Sequence, residues 1–196
     1  MMKPTEILMA EHRVIEQVLN VLEKIAEQAE TTGTFDRQDA GNAVAFFRTF
    51  ADKCHHGKEE AQLFPAMEAK GFPRDSGPTG VMIAEHEFGR SRVRGMAAAI
   101  EQGKAREFAE HARQFLEMLR QHIQKEDHCL FAMADQAFSA AEQEQLLAAF
   151  EKVEQEDIGA GTHETFLKIA NDLAEKYGVA RAEAGAAVQP CCRHRG

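Results

Sequence analysis

Two short stretches limit the possible folds of this chain more than any other feature: CHHGKEEAQLFP at 54–65 and HIQKEDHCLF at 122–131. Each can be read with a histidine four residues ahead of a glutamate, His56–Glu60 in the first and His122–Glu126 in the second. Each then runs on to a Leu-Phe pair. Residues i and i+4 share one face of an α-helix, about a turn apart. Each stretch can therefore aim one imidazole and one carboxylate at a common point. A fold that uses both must be helical there and must bring the two segments face to face.

The rest of the chain agrees. Leu8, His12, Ile15, Leu19, Leu22, Ala26 and Ala29 alternate spacings of four and three, the seam of a packed helix, with His12 in a core position. Met82, His86, Gly89, Val93, Met96 and Ile100 form a similar seam, with His86 on its apolar stripe. Phe108, Ala112, Phe115, Leu119, His122, Glu126, Cys129 and Met133 form a third. Predicted helices cover 4–30, 36–70, 80–102, 104–136 and 139–158, with a sixth from Thr162. Ser139 and Glu142 make a capping box, and Gly33, Gly71 and Gly103 stand where helices end. Gly57 and Pro65 are expected to loosen or kink the second helix. No strand pattern of period two occurs, so the fold class is all-α. One domain is expected over 1–177, followed by a small polar tail at 178–196 that is expected to be disordered.

The net charge of −9 at pH 7 argues against nucleic acid and anionic membranes as partners. No apolar run is long enough to span a bilayer, and MMKPTEILMAEH lacks the apolar stretch of a secretory signal. Four cysteines in a chain of 196 residues do not read as a disulfide framework, so a reducing cytoplasm is the expected location.

Burying a polar side chain without a partner costs roughly 1–3 kcal/mol. Here His12, His56, Glu60, His86, His122 and Glu126 take inward positions on four helices. The economical explanation is a shared cation. Six ligands are too many for one tetrahedral zinc. Two octahedral ions, each with two histidines and sharing two bridging glutamates, would use all six, with iron the best fit and manganese its competitor. His55–Glu59 has the same spacing as His56–Glu60. The face of His55 carries Arg48, Gln62 and Ala66 and looks solvated; that of His56 carries Ala45, Leu63 and Met67 and looks buried. The expected pair is therefore His56–Glu60, with His55 exposed.

His12, the 54–65 segment, EHEFG at 85–89 and the 122–131 segment together resemble the hemerythrin-like HHE cation-binding domain, over about residues 4–175. The resemblance implies an up-down four-helix bundle, here with additional C-terminal helices. It also implies a non-haem di-iron centre, two iron ions with an oxo or hydroxo bridge, or manganese or zinc in their place. It assigns the ligand roles to His12, His56, Glu60, His86, His122 and Glu126. Invertebrate oxygen carriers of this family have five histidines and two carboxylates, whereas only four histidines fall on clear seams here. The expected function is binding of oxygen, another small diatomic ligand or peroxide, as carrier or sensor. The alternative is an enzyme turning over peroxide or nitric oxide, or an iron donor for iron–sulfur cluster repair.

Several other residues carry weaker signals. His163 reads as a solvated residue at a helix start, with ligation as the rarer use. Cys54 and Cys129 read as small buried apolar groups. Cys191, Cys192 and His194 belong to the tail, Tyr177 to core packing, and Arg90, Arg92 and Arg94 to a solvated helix face.

Overall fold

The structure is a computed structural model, described here for residues 2–155 and 161–182. Helix α1 spans Pro4–Thr32 and ends at Gly33, whose φ of 71° is the left-handed C-cap expected there. Helix α2 is continuous through Arg37–Phe46, Phe47–His56, Glu59–Leu63 and Phe64–Ala69, with the second and third segments π-helical. It starts at Asp36, whose side chain accepts from the backbone N–H groups of Gln38 and Asp39. Helix α3 spans Pro78–Gln102. Helix α4 runs through Ala105–Lys125, a π-helical Glu126–Leu130 and Phe131–Ala137. Helix α5, Ala140–Val153, opens on the Ser139–Glu142 capping box, and α6 covers Thr162–Tyr177.

Helices α1 to α4 form the bundle, with α5 and α6 laid against it. Among the described residues there is no strand, and no helix is long and apolar enough to cross a membrane. The sixth helix is capped by Gly161, in the left-handed conformation, rather than by Thr162, which is its first residue. The part of the fifth predicted helix near Ile158 lies outside the described residues. So does the expected tail from residue 183 on. Residues 178–182 turn back onto the bundle: Val179 and Ala182 pack against the core, and the Ala182 N–H donates to Gln17 Oε1 at 2.6 Å. Tyr177 is half-buried and donates its hydroxyl to Asp39 Oδ2 at 2.8 Å, tying α6 to the start of α2.

The apolar core falls into two clusters with a polar layer between them. The larger contains Ile15, Leu19, Phe47, Phe50, Val93, Phe115 and Leu119; the smaller contains Leu8, Leu63, Phe64, Met82, Leu130 and Phe131. His12, His56, His86 and His122 each fall in sequence between a member of one cluster and a member of the other. Phe50 is fully buried and stacks on Phe46 at 4.9 Å between ring centres. Phe50→Ala should therefore cost about 3–5 kcal/mol of stability, as large-to-small core changes do. Chemical denaturation of metal-free protein measures this, and a loss below about 1 kcal/mol would contradict the packing.

Candidate metal centre

The π-helical turns decide which side chains point inward on α2. An α-helix advances 3.6 residues per turn, so a strict four-residue repeat drifts off its face within a few turns. A π turn closes from residue i+5 and accommodates more residues. Here Phe64 N–H donates to the Glu59 carbonyl, and Gly57 N–H reaches the Asp52 carbonyl. The buried residues follow that wider turn. Phe47, Ala51, His55, Glu59, Leu63 and Met67, every fourth residue, are all essentially inaccessible. So are Phe46, Phe50, Cys54 and Lys58 on the adjacent line.

This moves two sequence assignments. Glu59, not Glu60, stands in the interior, and His55 is fully buried rather than exposed. His55 and His56 both reach the polar layer. Glu60 is half-buried one step further out, accepting from His86 Nδ1 at 2.6 Å and from Arg90 at 2.7 Å. The expectation that used Glu60 extended a 3.6-residue period through a segment that does not keep it. On α4 the Phe131 N–H closes on the Glu126 carbonyl. Upstream of that turn His122 and Glu126 point inward as expected. Beyond it the buried face passes from Cys129 and Met133 to Leu130 and Ala134, leaving Cys129 exposed. Gly57 and Pro65 do not break α2.

Seven side chains converge in two groups that share one residue: His56, Glu59, His86 and His122, and His12, His55, Glu59 and Glu126. Glu59 lies between the groups, with Oε1 3.5 Å from His55 Nε2 and Oε2 3.4 Å from His86 Nε2. Glu126 Oε2 is 3.3 Å from His12 Nε2 and 3.2 Å from His122 Nε2. The His86 and His122 Nε2 atoms stand 3.1 Å apart. Of the sequence-assigned set, His12, His56, His86, His122 and Glu126 are brought together and Glu60 is not. Glu59 and His55 complete the cluster. The signal missed in the sequence was the apolar spacing of four that flanks both, Phe47 and Ala51 before and Leu63 and Met67 after.

A ring of carboxylates orients the imidazoles. His12 Nδ1 donates to Asp127 at 2.7 Å, His55 Nδ1 to Glu11 at 2.9 Å, His86 Nδ1 to Glu60, and His122 Nδ1 to Glu85 at 2.9 Å. His56 Nδ1 is further from its carboxylate, 3.6 Å from Asp52. A proton held on Nδ1 leaves the Nε2 lone pair facing the cluster, the arrangement found around metal-bound histidines. Each carboxylate is in turn paired with a cation: Asp127 with Arg13, Glu11 with Lys58, Asp52 and Glu60 with the shared Arg90, and Glu85 with Lys125. Arg90 therefore belongs to this scaffold and not to a solvated face.

Burial and proximity drive the charges apart. Desolvation, then the Glu126 carboxylate, push Glu59 well above the usual carboxylate range. Desolvation also opposes ionisation of Glu126, but the His122 and His12 imidazoles outweigh it and hold Glu126 well below that range. His122 is raised to about 9 because Glu126 and Glu85 overcome its burial. Burial, helped by neighbouring His12, lowers His55 to about 4, and burial with His86 lowers His56 well below the ordinary histidine value. Without a cation the cluster is thus a place where protons substitute for positive charge.

His163 is buried, not solvated, with its ring 5.1 Å from that of Phe50. It forms a third acidic–imidazole group with Glu11 and Glu154, but the fully buried Lys58 ammonium bridges those two carboxylates. Cys54 is buried beside this network, and desolvation pushes its thiol up to about 12, which makes it unreactive.

A helical bundle with a buried His/Glu cluster across its four main helices defines a class of metal-binding bundles. The hemerythrin HHE cation-binding domain matches residues 3–134, and the chain belongs to this family. Uncharacterised proteins from Mycobacterium bovis and from two strains of Mycobacterium tuberculosis are each 24% identical to it over 180 residues, covering 89% of this chain and 70% of the relative. No solved structure matches.

Proposed function

We propose that this protein holds two metal ions, by preference iron, and binds oxygen or a related small ligand at the pair, as carrier or sensor. The observation that carries the reading is a set of orphaned buried atoms. His12 Nε2, His55 Nε2 and both oxygens of Glu59 and of Glu126 have no hydrogen-bond partner, although a buried unpaired polar atom is costly. The donor set fits iron, with imidazole nitrogens for a borderline ion and carboxylate oxygens for a harder one.

His56, His86 and His122 would hold one ion and His12 and His55 the other, with Glu59 and Glu126 between them. Five histidines and two carboxylates is the oxygen-carrier pattern that four seam histidines had fallen short of. This supports reversible ligand binding over the peroxide, nitric-oxide and iron-donor alternatives. Bound iron would supply the redox change and the coordination position for the small ligand. The chain's own part is to aim the Nε2 atoms of His12, His55, His86 and His122 at the cluster through the carboxylates on their Nδ1 atoms, to pack the Phe131 and Phe64 rings against His12 and His86, and to place two carboxylates where they would offset the charge of both ions.

Metal analysis joined to visible spectra tests this. Protein loaded anaerobically with ferrous iron should hold close to two irons per chain. Air should change its spectrum, and removal of oxygen should restore the starting one. Saturation at a single zinc, with no uptake of iron under reducing conditions, would overturn the di-iron reading. Irreversible oxidation with consumption of peroxide would favour the enzyme.

A further inference from the structure

We propose that the cavity beside the metal centre binds an organic monocarboxylate with an apolar body, its carboxylate held by Arg48 and Arg94 and its apolar end directed at His56 and His86. The cavity, about 390 Å³, lies between α2, α3 and α4. It falls in the range of small-molecule pockets and is about thirteen times the roughly 30 Å³ that a water molecule occupies in the liquid. A diatomic ligand needs no such volume.

The cavity has two ends of different chemistry. His56 and His86 line one end, and His56 is the most accessible of the seven clustered side chains, at 7%. Arg48 and Arg94 line the other. Arg48 precedes His56 by eight positions on α2, and Arg94 follows His86 by eight on the antiparallel α3. On the α-helical α3, at 1.5 Å per residue, His86 and Arg94 lie about 12 Å apart along the bundle. The wall between them is apolar, from Phe47, Ala51, Val93, Phe115, Met118 and Leu119. Gly89 keeps it open: a Cβ there would stand 3.0 Å from Met118 Cε and 3.5 Å from the Phe115 ring.

The charges set the sign of the occupant. Asp52 and Glu85 also line the cavity, but both are already committed, the first to an ion pair with Arg90 and the second to Lys125 and His122. Arg90 is itself shared among Asp52, Glu60 and Glu87. Arg48 and Arg94 are exposed, and among the described residues neither has a hydrogen bond or ion pair. Two uncommitted guanidiniums at the mouth of an apolar cavity match a carboxylate with a hydrocarbon tail, because the planar guanidinium pairs with carboxylate in a two-pronged fashion. The inference rests on the proposed metal centre only for what the apolar end meets. Binding itself needs only the cavity.

Octanoate, octanol and inorganic phosphate are titrated calorimetrically into full-length protein of measured metal content, and into the metal-free form. Octanoate should bind both forms, more tightly than octanol and far more tightly than phosphate. The Arg48→Gln/Arg94→Gln double variant, with both changes on the surface, should weaken octanoate at least tenfold, leave octanol within twofold, and keep its metal content. Ala51→Leu, which fills the cavity, should weaken octanoate and octanol alike. Equal octanoate affinity in wild type and double variant would overturn the proposal, as would phosphate binding as well as octanoate, or no octanoate binding to either form. Protein that takes up no metal yet binds octanoate through the two arginines would sink the metal reading and leave this one standing.

Discussion

Glu59→Ala should strip both of the proposed metal ions from the protein, while Glu60→Ala should leave close to two per chain with affinity lowered about 10–100-fold, the usual cost of losing a group that orients a ligand. The two residues are neighbours in sequence, yet Glu59 is fully buried between His55 and His86, whereas Glu60 lies outside the cluster on His86 Nδ1 and Arg90. Glu59→Ala removes both oxygens that face the two groups, leaving five imidazoles around a single carboxylate. His55→Ala should by the same logic reduce metal content as severely as His56→Ala. Atomic absorption on protein loaded under reducing conditions measures all four variants. Full occupancy in Glu59→Ala, with loss in Glu60→Ala, would restore the α-helical register and refute the π-helical one. Glu59→Gln, which keeps the shape and one oxygen, controls for misfolding: it should fold as wild type and still bind less metal.

The failure of the α-helical register shows what could be read in the sequence. The six helices were legible because seams such as Leu8–His12–Ile15–Leu19–Leu22 carry the ordinary period and because Ser139, Gly33 and Gly103 mark the ends. His12, His86, His122 and Glu126 were legible because each lies on such a seam, the first two on helices that are α-helical throughout and the last two at or before the π turn of theirs. Glu59 and His55 were not, because hydrophobic periodicity assumes 3.6 residues per turn and α2 departs from it from Phe47 to Leu63. Polar composition misled as well. Lys58, Glu11 and His55 resemble a solvated face in sequence, but they are a buried and mutually neutralised set. What the sequence did hold was a set of apolar residues spaced by four on either side of His55 and Glu59, Phe47 and Ala51 before them and Leu63 and Met67 after.

Metal should raise thermal stability, and the gain should widen as pH rises from 6 to 8. With free metal a thousandfold above its dissociation constant, binding to the folded chain alone adds about 4 kcal/mol, or roughly 8–16 °C in Tm for a domain of this size. The pH trend follows from the groups in the cluster. Without metal, His122 is raised to about 9, so its stabilisation is complete below the unfolded value near 6.5 and is lost as pH climbs through 9. Glu59, raised well above 4.5, likewise costs stability as pH rises, because the unfolded chain ionises first. His55, lowered to about 4, and His56, lowered well below 6.5, act in the opposite sense and cost stability as pH falls below 6.5. Among these groups the metal-free bundle is therefore most stable around pH 6.5 and weakens toward 8. Bound metal reverses that trend, since it requires neutral imidazoles and ionised carboxylates and competes with the proton on His122. Loading at pH 7 should accordingly release at least that proton, measurable by calorimetry in buffers of different ionisation enthalpy. As pH falls from 8 the proton on His122 competes ever more strongly, so the metal should be progressively displaced, and α2 should loosen first. The π-helical segments Phe47–His56 and Glu59–Leu63, Gly57 and Pro65 all lie in that helix, and two glutamates and two histidines of the cluster region hang from it. Circular dichroism, melting temperature and bound metal followed together from pH 8 to 4 test the whole chain of reasoning. Identical melting curves with and without metal across that range would show that the bundle is preformed and indifferent to its ions.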